Sequence, residues 1–202
     1  MPTLSMPANS GFIAHRFGLA RNTRTFPSPM NLSTQTLEFA GTVWVAQYSL
    51  PPMKRATSAA WQAFFMQLRG TSGRFYGYDP TGKTPRGIGT GTPVANGAVS
   101  IGATTMATSG WTANVTGILL TGDYFQVGTE LYQLVSDANS AGSGLSTLTF
   151  EPSLRTAVSN GAALTINSAS CKMRLTADDQ GIFDVNHLAL YGTTFAAVEA
   201  FT

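Results

Sequence analysis

Alternation of apolar and polar residues predicts β-strands along most of this chain. Between residues 42 and 50, apolar side chains recur at every second position and the run ends at a Pro-Pro pair, as expected of a strand. We expect residues 34–39 and 42–50 to form a hairpin that turns through Ala40-Gly41. Aromatic and β-branched residues occur on both faces of the second strand, so we expect both faces to be covered.

The first 33 residues lack this regular alternation. Prolines interrupt every run, at Pro2, Pro7, Pro27 and Pro29, and proline is disfavoured inside paired strands because it has no N–H to donate. We therefore expect an irregular, extended segment with one short strand over residues 12–17.

One segment, residues 58–68, has the periodicity of an amphipathic helix. Its large apolar side chains recur at i, i+3, i+4 and i+7, and they are Trp61, Phe64, Phe65 and Leu68. Thr57 or Ser58 is predicted to cap the N-terminus. An apolar stripe of this kind normally faces a core, so we interpret it as packing against a sheet rather than as a ligand site.

From about residue 91 the pattern changes to short strands separated by turn residues. The predicted strands cover residues 99–106, 117–120, 124–127, 130–136, 145–150 and 162–166. Such spacing is typical of a small barrel or sandwich. The alternating segment 171–175 and the apolar stretch 185–201 then return to the first domain. We predict a mainly β fold with one helix, in which residues 1–90 and 171–202 form a discontinuous core domain and residues 91–170 form an inserted β module.

Residues 77–84 match the phosphate-binding P-loop pattern GxxxxGK[ST] letter for letter. A working P-loop needs a helix that begins at the Lys-Thr pair, because the free amides of that helix bind the phosphates. Here Pro85 follows Thr84 directly, and the next residues are rich in glycine and proline. We therefore predict a loop without a nucleotide-binding role.

Composition and charge favour a folded protein with an uneven charge distribution. Charged residues make up 11% and hydrophobic residues 43% of the chain, whereas disordered chains combine low hydrophobicity with many charges. Residues 1–90 contain nine basic and two acidic residues, a net +7, and residues 91–202 contain three basic and eight acidic residues, a net −5. The basic residues are scattered singly, so we interpret the asymmetry as a subunit that docks on charge-complementary neighbours. A nucleic-acid surface is the alternative.

Membrane and export signals are not expected. No stretch approaches 18 apolar residues, and the start lacks a basic patch followed by an apolar core. We expect the protein to be made and folded in the cytoplasm.

Residues that could carry catalysis or bind a metal ion are few and dispersed. His15 and His187 are the two histidines, and neither has a second histidine or a cysteine at metal-ligand spacing. Cys171 shares a strand face with apolar residues, so we expect a buried, inert thiol. The Asp178-Asp179 pair is predicted to lie in a turn.

Two other arrangements of polar residues could be imagined as sites. Asp123, Asp137 and Asn139 lack the spacing of a calcium-binding loop. A hydrolase that used Asp178, Asp179 or Glu151 would need two carboxyl groups held across a cleft, and the sequence shows no paired spacing. We predict no enzyme activity, no catalytic residues, no cofactor and no metal ion.

Short sequence blocks occur in a fixed order through the chain. They are Trp61 with Phe64, Leu68-Arg69-Gly70, Gly73-Arg74-Phe75, Asp79-Pro80, Pro85-Arg86-Gly87, Gly91-Thr92-Pro93, Gly110-Trp111, Gly122-Asp123-Tyr124-Phe125, Leu131-Tyr132, Phe150-Glu151-Pro152 with Leu154-Arg155, Met173-Arg174-Leu175 and Glu199-Ala200-Phe201. In this order, over about residues 40–202, they resemble tail proteins of long-tailed, non-contractile bacteriophages, and in particular the distal tail protein class.

The resemblance implies a structural protein of the virion, assembled in the cytoplasm of the host bacterium. It implies a tail-tube-like β-sandwich core and a six-fold homohexameric ring that joins the tail tube to the baseplate hub. The partners would be further copies of the chain, the tube protein and the hub protein, with DNA only passing through the lumen. The functional surfaces of this class are interfaces, so the resemblance assigns no site residues.

A host-surface carbohydrate-binding module is the alternative function. Inserted β modules of this class are in some cases galectin-like, and residues 91–170 would be that module. Trp111, Tyr124 and Tyr132 would then stack on sugar rings from an exposed platform. Buried aromatic side chains would exclude that arrangement.

Overall fold

The computed structural model describes residues 3–8 and 11–201, and it is mainly β with one α-helix. The strands are β1 (Thr3–Ser5), β2 (Ala14–Pro27), β3 (Thr34–Ser49), β4 (Arg74–Gly77), β5 (Gly91–Ala95), β6 (Thr105–Trp111), β7 (Tyr124–Val127), β8 (Glu130–Leu134), β9 (Ser146–Glu151), β10 (Leu164–Thr165), β11 (Cys171–Leu175), β12 (Asp184–Val185), β13 (Tyr191–Gly192) and β14 (Thr194–Glu199). The helix is α1 (Arg55–Leu68), followed by a short 3-10 helix, Gly70–Ser72. The predicted fold class is confirmed.

The chain divides into two compact units, one made of Met1–Gly77 with Lys172–Thr202 and the other of Tyr78–Cys171. The first boundary therefore differs from the predicted one, because residues 78–90 belong to the second unit. In that unit the amides of Arg86 and Gly87 donate to the carboxylate of Asp123, at 2.9 and 3.0 Å. These bonds tie the loop that precedes β5 to the second unit.

The first unit is a six-stranded sheet in the order β1-β4-β11-β14-β3-β2. The apolar stripe of α1 is buried, as predicted, and its aromatic rings contact those of the strands. Phe65 lies 5.1 Å and Trp61 5.9 Å from the ring of Phe195 on β14. The stripe of α1 is therefore part of a core.

The start of α1 corrects the sequence analysis. The helix begins at Arg55, three residues before the predicted start, and its N-cap is Lys54 without a side-chain cap hydrogen bond. Ser58 lies inside the helix and donates to the carbonyl of Arg55 at 3.1 Å. Neither Thr57 nor Ser58 is the cap.

The largest correction concerns the N-terminal segment. Residues 14–27 form the long strand β2, which pairs antiparallel with β3 from Ala14–Ser49 to Pro27–Thr34. Pro27 falls at the end of β2, Pro29 lies in the turn that follows it and Pro7 precedes the strand, so none of these three interrupts the ladder. The predicted turn at Ala40-Gly41 is instead the site of a register shift within the continuous strand β3, opposite residue 21.

Over residues 43–50, only one face of the chain is fully buried. Trp44, Ala46, Tyr48 and Leu50 are buried together, as predicted, whereas Gln47 on the opposite face is exposed. The expectation that both faces are covered was wrong, because β-branched residues also tolerate a half-buried surface.

The second unit is a nearly closed barrel with the strand order β10-β7-β8-β9-β6-β5. The two outer strands approach each other, since the amide of Ala95 donates to the carbonyl of Ala162 at 2.9 Å and Val94 bridges Ala163. The rings of Phe125, Tyr132 and Phe150 pack within 5.1–5.4 Å of one another in its core.

Three strand predictions in this unit were inaccurate. Residues 91–95 form β5, which was not predicted, because Pro93 reads as a loop residue. Residues 117–120 form no strand, and Leu119 makes an isolated bridge to Ala138. The strand predicted at 99–106 lies at Thr105–Trp111.

Candidate functional site

The outer half of the β2–β3 hairpin, residues 21–42, projects beyond the rest of its sheet; we call it the hairpin arm. The neighbouring strand β14 pairs with β3 only as far as Val198–Val45. In the described part of the chain, residues 34–39 of β3 pair with β2 alone, and residues 40–42 lie at the register shift opposite residue 21. At about 3.3 Å per residue, residues 34–42 extend roughly 25 Å.

One face of the hairpin arm carries three exposed apolar side chains. The register pairs Asn22 with Phe39, Arg24 with Leu37 and Phe26 with Gln35. Because directly paired residues share a face in an antiparallel ladder, Phe26, Leu37 and Phe39 lie on one side. They are 56%, 51% and 41% exposed. We call this set the apolar arm face.

The hairpin arm is nevertheless a defined element. At its tip, the amide of Ser28 donates to the carbonyl of Ser33 at 2.7 Å, and Asn31 Oδ1 accepts from the amide of Ser33 at 3.1 Å. Nearer its base, Arg21 Nη1 lies 2.8 Å from Glu38 Oε1. A two-stranded hairpin is marginal in water without a third element, and an exposed, long apolar strand pair invites association.

A second exposed apolar surface lies on residues 178–192 of the same unit, which we call the acidic loop. It includes the two-stranded β12–β13 hairpin, and Ile182, Val185 and Leu188 are more than half exposed. Its ionisable residues are three aspartates, one histidine and one tyrosine, with no lysine or arginine. It therefore combines apolar side chains with negative charge.

Hydrogen bonds give the acidic loop a defined shape. Asn186 Oδ1 accepts from the amides of Leu188 and Leu190, each at 3.0 Å. Thr193 Oγ1 donates to the carbonyl of Ile182 at 2.7 Å. The apolar side chains of this surface are thus presented on ordered backbone.

The acidic loop is anchored to the C-terminal end of β3. Met53 and Tyr191 exchange backbone hydrogen bonds of 2.8 Å. The amide of Leu50 donates to the carbonyl of Thr193 at 2.9 Å. The acidic loop and the hairpin arm therefore lie at opposite ends of the sheet, measured along β3.

The predicted Asp178-Asp179 turn is confirmed, and it carries a structural hydrogen bond. Asp178 Oδ1 accepts from the backbone amide of Thr71 at 2.8 Å. This bond to the backbone amide, supported by the Thr71 side chain, lowers the pKa of Asp178. Asp178 therefore joins the turn to the segment that follows α1.

The polar residues considered as calcium ligands are hydrogen-bond acceptors for backbone amides. Asp123 is buried and accepts from Arg86, Gly87 and Leu120, the last at 2.8 Å. Asp137 Oδ1 accepts from the amide of Thr121 at 2.7 Å and from its hydroxyl, which lowers the pKa of Asp137. Residues 3–8 and 11–201 contain no group of three or more His, Cys, Asp or Glu side chains arranged to hold a metal ion.

The remaining candidates are dispersed. Cys171 is buried, as predicted. His15 lies on β2 and is half-buried, whereas His187 is exposed in the acidic loop. Glu151 ends β9 in the second unit.

The P-loop match is a loop, as predicted, with no helix after Thr84. Asp79 Oδ1 accepts from the amide and hydroxyl of Thr81 at 2.9 and 2.8 Å, which forms a local turn. The Lys83 ammonium lies 4.5 Å from the centre of the Tyr78 ring, a cation–π contact. The lysine that would bind phosphate is engaged with an aromatic ring.

The proposed sugar-stacking platform does not form. Trp111, Tyr124 and Tyr132 are all buried. Trp111 Nε1 donates to Thr108 Oγ1 at 2.9 Å, and Tyr124 donates to Asp79 at 3.2 Å. Burial, followed by interaction with Asp79, raises the pKa of Tyr124. This form of the carbohydrate-binding hypothesis was wrong, because the aromatic residues close the barrel core.

A cavity of about 330 Å³ lies beside the barrel and is lined in part by Val127, Glu130 and Val158. The Glu130 carboxylate accepts hydrogen bonds from the hydroxyls of Tyr132 and Thr156, the second at 2.8 Å. Burial and the bond to Glu130 raise the pKa of Tyr132. The acid in this cavity therefore serves as an internal acceptor.

Comparison with known protein families found no matching family, and comparison with curated proteins found no matching relative. Among the residues that the structure describes, none of the helices is long and apolar enough to span a membrane.

The sequence analysis missed how the hairpin arm is paired. Residues 34–39, in which Leu37 and Phe39 share one face, were predicted as a strand, but their predicted partner was residues 42–50. Their partner in the structure is β2, which the prolines within residues 1–33 argued against.

Proposed function

We propose that this chain is a structural subunit of a bacteriophage tail, which forms a ring at the distal end and links the tail tube to the baseplate hub. The ring would be built from further copies of the chain, six in the form that the sequence resemblance implies. Its other contacts would be with the tube protein and the hub protein. DNA would only pass through the lumen.

The exposed apolar arm face carries this proposal. It belongs to an ordered hairpin, and it would become buried when a partner covers it. Fully burying one exposed Leu or Phe side chain contributes about 1.5–3 kcal/mol. Because the three side chains are already about half covered, covering the remainder would contribute roughly 2–4 kcal/mol in total. A building block is expected to present a surface of this kind.

The ordered sequence blocks give the proposal its biological setting, because they resemble the distal tail protein class. The mainly β fold, with one helix and a separate barrel, agrees with that setting. We propose that the chain acts through its surfaces rather than through catalysis, and that it functions as part of the virion.

The test is the particle size of the purified full chain, measured by native mass spectrometry and negative-stain imaging over a range of concentrations. Closed rings of several subunits are the expected result. Thr36, which lies on the opposite face of the hairpin arm from Leu37, offers a matched control: Leu37→Ser should weaken ring formation and Thr36→Ser should not. A chain that remains monomeric up to millimolar concentration contradicts the proposal.

A further inference from the structure

We propose that the apolar arm face of one copy docks on the acidic loop of the next copy, so that identical subunits join head to tail. This inference rests on the proposed function and deepens it, because it names the partner of the surface that would build the ring. The partner is a second copy of this chain, at a different surface from the one it offers itself.

The positions of the two surfaces favour contact between unlike ends. The hairpin arm extends past Val45 at one end of β3, whereas the acidic loop leads into Thr194, which pairs with Ser49 at the other end. A copy that uses its arm on a neighbour's loop still has its own loop available for another arm. Such heterologous contacts continue from copy to copy until the rotation closes a ring.

The chemistry of the two surfaces also matches. Each presents exposed apolar side chains, so contact removes apolar area from water on both sides. Their charges are opposite: residues 21–42 contain two arginines and one glutamate, whereas residues 178–192 contain three aspartates. Arg21 pairs with Glu38 within the hairpin arm, so Arg24 carries its net positive charge.

Contacts between two arms or between two loops are less favourable than arm-to-loop contacts, because each would bring like charges together. Two arms laid face to face would bring the exposed Arg24 side chains of two copies together, and two loops would bring two sets of three aspartates together. Complementary charge favours the arm-to-loop arrangement and disfavours the wrong partners.

The backbone of the acidic loop is ordered in the isolated subunit. Its backbone is already fixed by the bonds of Asn186 and by the Met53–Tyr191 pair. Because little of the loop has to be ordered on contact, more of the favourable contact free energy appears as affinity.

A complementation experiment with two full-length variants tests this arrangement. Leu37→Asp inactivates the arm and keeps the loop, and Leu188→Asp inactivates the loop and keeps the arm. Both positions are exposed, and far-ultraviolet circular dichroism verifies that each variant folds. Each variant alone should associate at least tenfold more weakly than the wild type. Mixed in equal amounts, they should form a one-to-one dimer that does not grow, because one interface remains intact. Thr25→Asp, on the opposite face of the arm, should assemble like the wild type.

Other outcomes separate the possible errors. If the wild type forms rings, Leu188→Asp assembles normally and the mixture gives no heterodimer, the arm-to-loop contact is wrong and the proposed function stands. A wild type that is monomeric at all concentrations overturns both. If either aspartate variant fails to fold, Arg24→Glu and Asp184→Lys provide a second pair for a mixing experiment. Each of these variants alone should associate more weakly than the wild type, because the arm and the loop then carry like charges. Mixed in equal amounts they should assemble again, because one interface has the exchanged charges and the other keeps the wild-type charges. A mixture that assembles no better than either variant alone overturns the inference.

Discussion

Arg24 and Leu37 lie directly opposite each other in the β2–β3 ladder, and both side chains are exposed on the same face of the hairpin arm. A cation beside an apolar side chain gives that face two properties at once. The apolar part supplies affinity when it is covered, and the charge selects an acidic partner.

The first prediction concerns Phe39. Phe39→Ser should lower the free energy of unfolding of the isolated subunit by only about 1 kcal/mol, because the side chain is 41% exposed and only its covered part contributes to folding. It should weaken self-association about tenfold or more, equivalent to about 1.4 kcal/mol. Urea unfolding at high dilution and sedimentation at high concentration measure the two effects separately. A loss of stability without a loss of association would show that the face serves the fold of the subunit.

The second prediction concerns salt. If opposite charges help to join the subunits, assembly of the wild type should weaken as ionic strength rises, since exposed charges are screened. Arg24→Gln should assemble more weakly at low salt and respond less to added salt. Sedimentation at several salt concentrations measures this. Identical salt responses of Arg24→Gln and the wild type would remove Arg24 from the interface.

The third prediction concerns the buried carboxylate of Asp123. Asp123→Ala removes the acceptor for three backbone amides, and each buried unsatisfied donor costs about 1–3 kcal/mol. The barrel should therefore lose roughly 3 kcal/mol or more. Trp111 is the barrel's only tryptophan. In a protein that also carries Trp44→Phe and Trp61→Phe, tryptophan fluorescence therefore reports the unfolding of the barrel alone. Asp137→Ala, at an exposed site, should lower the stability of the barrel by less than Asp123→Ala does. Equal losses in the two variants would contradict the idea that burial of Asp123 makes its hydrogen bonds important.

The fourth prediction concerns the core of the first unit. Phe195 is fully buried, and its ring lies within 5.1–5.9 Å of those of Tyr48, Trp61 and Phe65. Phe195→Ala should cost about 3–5 kcal/mol through lost contacts and a cavity. Phe26→Ala is the matched control on an exposed site and should have little effect on unfolding of the dilute subunit. Comparable losses in the two variants would mean that the hairpin arm is covered within the monomer.

The fifth prediction concerns acid sensitivity. The amide of Thr71 lowers the pKa of Asp178 in the folded state. The resulting stabilisation is fully present above the unfolded pKa of about 3.9, and it is lost as pH falls through the lower folded pKa. Asp178→Asn should therefore be less stable than the wild type near neutral pH, and the two should converge in acid. Thr71→Ala, which keeps the amide, should show a smaller difference. If the difference in stability between Asp178→Asn and the wild type did not change with pH, the carboxylate would not be its source.

Local sequence patterns predicted the elements whose buried side chains recur at the spacing of a helix or a strand. The stripe of Trp61 and Phe65 identified the helix, and the alternation around Cys171 and Met173 identified β11. The P-loop match was rejected correctly because Pro85 and the glycine- and proline-rich residues after it do not sustain the helix that the motif requires.

The remaining features depend on long-range pairing, which local pattern does not specify. Pro27 reads as a break, yet it is the last residue of β2, where a missing N–H costs little. Trp111 and Tyr132 have the composition of a sugar-binding platform, but closure of the barrel places them inside. Exposure of Phe26 and Leu37 is likewise a property of the fold, because it depends on where β14 ends.

The barrel leaves and rejoins the sheet at neighbouring strands, since the chain departs after β4 and returns in β11, and these strands are adjacent in the sheet. A chain without residues 78–170 would need only to connect two neighbouring strands, with the strand order unchanged. In evolutionary terms, loss, gain or replacement of such an inserted module would leave the strand order of the sheet unchanged. The hairpin arm and the acidic loop, which both belong to the sheet unit, would keep their positions in it.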